Sequence, residues 1–382
     1  MRTLLITGPG GSGRTTVAAA TAFAAAREGA RTLLVGTDPG DTLGPVLGDA
    51  DVPGLTVRRV DPDAGFRADL AALQERAGGA LDLLGASRLA PEETSPLPGA
   101  EELAVLRALR DAASEDDHDL LVVDLPAAPR ALALLALPEE LRRVLRRLLP
   151  PERQAARALR PVLGRLAGVP MPAEWIYETA ARLDLQLAAV EALLADRGTA
   201  VRLVAEPGPA GADALRTAAL GVALRGLRLD TVVANRVLPE NEAADWLAGP
   251  VAQQRKALDE WRAEHPVHPV AHLGRDPRGA DDLAALAVPA APAAAGPVRW
   301  PLADRIAEDG VLVWHLPLPG ARRETLDLVR RGDELTVTAG PFRRVVPLPS
   351  ALRRCTVDGA ALREGELRIR FRPDPELWPR TR

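Results

Sequence analysis

The stretch Gly8–Thr16, GPGGSGRTT, constrains this chain more than any other. An apolar run, Thr3-Leu4-Leu5-Ile6-Thr7, precedes it and predicts a buried strand. An Ala-rich run, Val17 to Arg27, follows it and predicts a helix. Strand, glycine turn and helix start together make an anion site, because unpaired N–H groups and the helix dipole converge on one point. Gly8, Gly13 and Thr15 meet the spacing G-x-x-x-x-G-K-[ST], with Arg14 in the lysine place. Gly8, Gly10 and Gly13 also meet G-x-G-x-x-G, the dinucleotide fingerprint, and Asp38 stands where an acidic ribose ligand would sit. On these residues alone three readings stay open: a mononucleotide loop, an NAD(P)-binding Rossmann turn, and a glycine turn with no ligand.

Apolar runs recur along the chain at Leu4–Thr7, Thr32–Val35, Leu120–Asp124, Val201–Ala205, Thr231–Asn235 and Val270–Leu273, with helical stretches between them. Continuous apolarity predicts strands buried on both faces, hence an α/β fold with a mostly parallel central sheet. Gly8, Asp38, Asp124 and Asn235 fall at or just past the carboxyl ends of these runs, where such sheets bind ligands. They are expected to share one site. Between Leu134 and Gly198 the pattern turns Leu-, Ala- and Arg-rich, broken by Pro150, Pro151, Pro161, Pro170 and Pro172. This predicts a helical insertion at about 136–199. In it Leu141, Val144, Leu148 and Leu149 keep helical spacing among Arg142, Arg143, Arg146 and Arg147, as on a core-facing helix or, more sharply, a partner-binding groove.

Ala287–Pro297 has linker composition and divides a first domain, 1–286, from a second, 298–382. In the second domain Leu312–Leu316, Glu334–Val337 and Leu367–Phe371 alternate with period two. Turn pairs at Pro319-Gly320, Gly332-Asp333, Gly340-Pro341, Asp358-Gly359 and Glu364-Gly365 punctuate them, predicting a small antiparallel β-sandwich.

Composition narrows the function classes. A net charge of −4 over 382 residues implies no strong pull toward nucleic acid or an anionic membrane. Cys355 stands alone, which excludes an internal disulfide and any multi-cysteine metal site and fits a reducing cytoplasm. The first apolar run stops at the glycine turn, so no signal-peptide core follows Met1, and no stretch is long enough to span a bilayer. Lys256 is the lone lysine among 48 basic residues, so Arg14 also reflects a general bias toward arginine.

Taken in order, these motifs resemble one family: the ArsA-type arsenite-pump ATPases and the related ATPases that target tail-anchored membrane proteins. GPGGSGRTT is similar to its GKGGVGKTT loop. Thr37-Asp38-Pro39 with Asp41-Thr42-Leu43 resembles its switch I. Leu120–Asp124 resembles the strand before switch II, and Leu134–Glu139 the segment after it. Val233–Pro239 resembles its adenine-binding strand end, and the final segment, with Leu316–Gly320, Gly332–Leu335 and Leu348-Pro349, the α-crystallin (small-heat-shock-like) domain of some members.

The resemblance implies a P-loop nucleotide-binding protein that uses ATP and Mg²⁺. Backbone and side chains of Gly8, Gly10, Gly11, Ser12, Gly13, Arg14, Thr15 and Thr16 would surround the phosphates. Thr15 would ligate Mg²⁺ and Asp124 would support it through water. Asp38 would orient the attacking water, while Asn235 and the adjoining Arg236 would meet the base.

Departures from the pattern temper the expected activity. The family places lysines where this chain has Arg14 and Pro9. An arginine fork does not replace a compact ammonium, and proline carries neither charge nor N–H. Switch II becomes Asp124-Leu125-Pro126-Ala127-Ala128-Pro129-Arg130, with prolines expected to stiffen it and Arg130 expected to be solvated. Paired cysteines for arsenite or zinc are missing. The expectation is a slow ATPase that couples nucleotide to a protein or hydrophobic client, or a pseudo-ATPase scaffold without turnover. A homodimer belongs to the family pattern, but the lysine and zinc clamp that mark it are absent.

Overall fold

The computed structural model describes residues 1–49, 52–76, 78, 87–149, 173–240, 245–291 and 298–378, with backbone alone at 173–176 and 245. Among these residues seven parallel strands form the central sheet: β1 (Arg2–Thr7), β2 (Thr32–Gly36), β3 (Leu55–Arg59), β4 (Leu120–Asp124), β5 (Thr199–Ala205), β6 (Leu229–Val237) and β7 (Val267–Ala271). Their order is β3-β2-β4-β1-β5-β6-β7. β2, β4 and β5 are buried at every position, which is why they read as largely apolar runs, with Arg202 the charged exception within β5.

Nine helices follow these strands among the described residues: α1 (Arg14–Arg27), α2 (Gly44–Leu47), α3 (Pro62–Arg76), α4 (Ala100–Ser114), α5 (Ala128–Leu148), α6 (Ala173–Ala195), α7 (Pro209–Leu224), α8 (Ala248–Glu264) and α9 (Gly279–Ala285). Alternation along β1 sends Leu4 and Ile6 to one face, where Val17, Ala18 and Phe23 of α1 and Leu283 of α9 cover them. Leu5 points to the opposite face, among residues of α4, α5, α6 and α7. The alanines of α1, buried from Ala18 to Ala20, let this helix lie close to the sheet behind the glycine turn.

The tail adds β8 (Leu302–Arg305), β9 (Val311–Pro317), β10 (Leu326–Arg331), β11 (Glu334–Ala339), β12 (Phe342–Pro347), β13 (Cys355–Arg363) and β14 (Glu366–Pro373). They form two antiparallel sheets, β10-β11-β12 and β13-β14-β9-β8, over a core of Leu316, Val337, Leu367, Ile369 and Phe371. This core is continuous with that on the α4–α7 face of the large sheet. The Phe342 ring sits over Gly221 of α7, where an added Cβ would lie 2.8 Å from the ring and 2.5 Å from Leu132. Arg344 of β12 pairs with Glu139 of α5 at 3.1 Å, stacks 5.2 Å from the centre of the Trp300 ring, and donates to the Leu224 carbonyl at 3.1 Å. The mostly parallel sheet and the antiparallel tail agree with the sequence reading.

Several details differ from it. β3 escaped notice because it is an edge strand, half exposed and ending in Arg58 and Arg59. β7 begins earlier than Val270 and runs through Pro269, which an edge strand tolerates because its outer N–H needs no partner. Asp358-Gly359 is no turn: it lies inside β13, where the register shifts at a bulge between Val357 and Gly359. On α5 the expected apolar stripe is partly reversed. Val144 and Leu148 are 45% and 72% exposed, while Arg142 turns inward to Asp184 (2.9 Å) and Glu191 of α6. The core-facing stripe of that end is Leu137, Leu141 and Leu145, so Leu141 faces inward as expected and Val144 and Leu148 do not. The prolines expected to punctuate the insertion, Pro150 to Pro172, lie outside the described residues. Within the Ala/Pro stretch Val288 is buried, and the carbonyls of Pro289 (2.8 Å) and Ala290 (3.3 Å) accept from Arg202. Arg202 is itself 1% exposed and held by Asp230 at 2.7 Å.

Candidate functional site

The glycine turn leaves β1 between β4 and β5 and runs directly into α1. Gly8 is obligatory, since a Cβ there would stand 1.9 Å from the Val204 carbonyl oxygen of β5. Gly13 caps α1 in the left-handed region, at φ +87°, and a Cβ there would meet the Asn235 amide nitrogen at 2.2 Å. The Ser12 N–H (3.4 Å) and hydroxyl (2.9 Å) both donate to the Pro9 carbonyl and close the turn. The N–H groups of Gly10, Gly11, Gly13, Arg14 and Thr15 have no acceptor among the described residues. They form an open row of donors at a helix start, the arrangement that suits a chain of phosphates.

One flank of the turn is built from β6. Asn235 is buried, and its amide donates to the Ser12 carbonyl at 2.8 Å. Arg236 follows at φ +57° and donates to the Gly11 carbonyl at 3.1 Å and to Glu206. Both expected base-side residues therefore brace the turn itself. Beside them a cavity of about 200 Å³ opens between Gly13, Thr16, Asn235 and the loop after β7, including His272 and Pro277. The His272 Nδ1 accepts from the Gly274 N–H at 2.8 Å, so the neutral ring carries its proton on Nε2. Asp282 of α9 steadies this loop by accepting from Arg275 and from the Arg278 N–H at 3.0 Å. Sequence reasoning missed His272 to Arg278. The rule that ligands gather past carboxyl strand ends, applied to β7, would have found them.

The other flank is built from β2, β4 and the start of α5. Asp124 ends β4 at 2% exposure, and neither carboxylate oxygen has a hydrogen-bond partner among the described residues. Burial pushes its carboxyl up to about 6; the nearby Thr15 hydroxyl and Arg14 guanidinium offset part of that rise, and Asp38 adds to it. Asp38, half-buried, sits just past Thr37, whose hydroxyl (2.7 Å) and N–H (3.3 Å) both donate to the Asp124 carbonyl. Thr37, the first residue of the switch I-like segment, thus ties the two acidic strand ends together. Arg14 donates from Nη1 to the Leu125 carbonyl, while its buried Nε has no partner.

The Asp124–Arg130 segment is pinned at several points. The Leu125 and Ala128 N–H groups donate to Ile6 and Gly8 (both 2.9 Å), and the Thr7 hydroxyl donates to the Pro126 carbonyl at 2.7 Å. Pro129 occupies the first turn of α5, where a missing N–H costs nothing. Arg130 is exposed, as expected, with 55% of its side chain open to solvent, and pairs at the surface with Glu101 and Glu102 at the start of α4. All the expected phosphate-side positions meet on one rim: Gly8 to Thr16, Asp38 and Asp124.

The geometry suits a Mg²⁺-bound polyphosphate. A buried carboxylate without a partner, a neighbouring threonine hydroxyl and a row of free N–H groups are the donor set such a ligand needs. Among the described residues no group of three His, Cys, Asp or Glu could hold a further metal, and Cys355 is a buried free thiol in the tail. No described helix is long and apolar enough to cross a membrane.

Comparison with known proteins points the same way. Residues 1–287 match the family model of the anion-transporting ATPase, and residues 309–371 that of the HSP20-like domain found in ArsA. Over all of both chains the sequence is 73% identical, across 390 residues, to an uncharacterized protein of Streptomyces coelicolor. A Mycobacterium tuberculosis protein is 35% identical over 422 residues, 99% of this chain and 97% of that one. The putative arsenical pump-driving ATPase 1 of Aquifex aeolicus is 27% identical over 399 residues, 97% of this chain and 99% of its own.

Proposed function

We propose that this chain, which belongs to the anion-transporting ATPase (ArsA) family, binds ATP with Mg²⁺ at the glycine turn and hydrolyses it slowly, coupling nucleotide state to a protein or hydrophobic client. The observation that carries this reading is Asp124: a carboxylate buried to 2% exposure, without a partner, beside Thr15 at the foot of an open N–H row. An isolated buried carboxylate is costly unless a ligand compensates it.

In this reading Thr15 would ligate Mg²⁺ directly and Asp124 would support it through water, and the ion would supply positive charge against the phosphates. The free N–H groups of Gly10, Gly11, Gly13, Arg14 and Thr15 would cradle the phosphates. Asp38, half-buried on the same rim, accepts a hydrogen bond from the attacking water and sets its direction. Asn235 contributes its free carbonyl oxygen to the base, since its amide is committed to Ser12.

A second reading, binding without turnover, draws on one contact. Arg14 spends a guanidinium donor on the Leu125 carbonyl, and Pro9 brings no charge. One well-placed cation contributes about 10³–10⁵ in rate to phosphoryl transfer. Calorimetry with Mg-ATP followed by a phosphate-release assay separates the two, with Asp38→Asn as the background. Saturable binding with release above that background is expected. Release no faster than Asp38→Asn leaves only the scaffold, and absence of binding removes both readings. Arg14→Lys is expected to raise turnover; an unchanged rate moves the deficit to Pro9 and the pinned Asp124–Arg130 segment. Sedimentation with and without nucleotide tests a homodimer.

A further inference from the structure

Away from the glycine turn, α3, α4 and α6 enclose a groove of about 560 Å³. Its floor is apolar and well buried: Leu106, Leu187 and Val190 are 4%, 2% and 1% exposed. Its walls are apolar but open to solvent, with Leu73 of α3 48% and Leu103 of α4 41% exposed. Together with the leucine floor they make one contiguous apolar surface, and a contiguous patch, unlike a scattered leucine, marks a ligand site.

The rim is cationic. Arg76, Arg107, Arg110 and Arg182 all line it, against Asp69 as the acid among the described lining residues. Asp69 is taken by Arg107 at 2.5 Å, and Arg110 pairs with its own neighbour Asp111. Arg76 and Arg182, from opposite walls, have no ion pair or hydrogen bond among the described residues. Two uncommitted guanidinium groups above a leucine floor call for an anionic head on an apolar body, because each arginine offers a fork of N–H donors to a carboxylate.

The groove is of small-molecule size, and its charge calls for a small amphiphile. A single alkyl chain fits, and the volume lies within the usual range for small-ligand sites. We propose that the α3–α4–α6 groove binds one long-chain carboxylate, a free fatty acid, with its head between Arg76 and Arg182 and its chain on Leu106, Leu187 and Val190. The proposal needs no nucleotide and stands apart from the ATPase reading.

The test uses the full chain without nucleotide and three probes in calorimetry: hexadecanoate below its micelle concentration, hexadecan-1-ol, and an acidic amphipathic peptide. Hexadecanoate is expected to bind at one site, about tenfold or more tighter than the alcohol, which is the size of one charge-assisted hydrogen bond. The double variant Arg76→Gln/Arg182→Gln changes only exposed side chains and should keep the thermal midpoint while losing at least about tenfold in hexadecanoate affinity. Leu103→Trp, which fills the groove from an exposed position, should block binding. No saturable binding, equal affinity for the alcohol, an undiminished double variant, or binding of the peptide alone would each overturn the proposal.

Discussion

The two flanks of the glycine turn are built to different degrees of completion. On the β6 flank both side chains already have protein partners: the Asn235 amide holds Ser12, and Arg236 holds Gly11 and Glu206. On the β4 flank Asp124 has none, and Arg14 is only partly satisfied. The finished flank fixes the shape of the turn. The unfinished flank stores an electrostatic deficit that a cation and phosphates would relieve. A binding site of this kind concentrates its instability where the ligand's charge arrives, and keeps the scaffold beside it rigid.

The largest effect is expected where both flanks meet. Gly13→Ala forces an alanine to φ +87° and drives its Cβ into Asn235, breaking the bond to Ser12. Strain and the lost buried hydrogen bond together cost about 3–5 kcal/mol, so urea unfolding should show a sharply lower midpoint and nucleotide binding should vanish. A mild variant would mean that the β6 flank is looser than its contacts imply.

Asp124→Asn probes the unfinished flank and should do the opposite. Burial raises this carboxyl to about 6, so between its unfolded value and about 6 the folded protein holds a proton that the unfolded chain releases. Stability therefore falls as pH rises through that window and levels off above it, by about 3 kcal/mol in total. Asparagine removes the charge, so the variant should be about 2–3 kcal/mol more stable than the parent at pH 8 and nearly equal to it at pH 4, in unfolding curves at both pH values. It should also lose Mg²⁺-dependent nucleotide binding. Parent and variant of equal stability at pH 8 would mean that Asp124 is already compensated.

Smaller effects sharpen the contrast. Asn235→Ala should cost about 1–3 kcal/mol, since it leaves the Ser12 carbonyl unpaired in a buried setting. Arg236→Gln should cost less than about 1 kcal/mol, because its partner Glu206 and its own side chain are half exposed. A larger loss there would place Arg236 in ligand binding and not only in bracing.

Much of this was legible in the sequence, and for a consistent reason. Strand ends, glycines at tight contacts and buried apolar runs are dictated by local chemistry, so Gly8, Asp38, Asp124 and Asn235 could be placed on one rim before any coordinates. What stayed hidden depends on partners distant in the chain. Arg202 looks like any arginine until Asp230, Thr21 and the carbonyls of Pro289 and Ala290 surround it. Val144 and Leu148 share helical spacing with Leu141, but the stripe that meets the core is Leu137, Leu141 and Leu145, and the Arg142–Asp184 pair beside it could not be read from spacing. The commitment of Asn235 to Ser12, which leaves only its carbonyl for a base, could likewise not be read from an asparagine at a strand end.

The seating of Phe342 over Gly221 has a consequence for how the chain melts. The tail sandwich and the α4–α7 side of the large sheet share one apolar interior, so neither can open without wetting the other. Heating should therefore give a single calorimetric endotherm, with calorimetric and van't Hoff enthalpies in agreement, where two independent modules would give two. Removing the tail at residue 298 would strip the cover from α7 and leave a sticky, aggregation-prone ATPase core. The segment that reads as an appendage in the sequence is, in thermal terms, part of the same melting unit as the sheet.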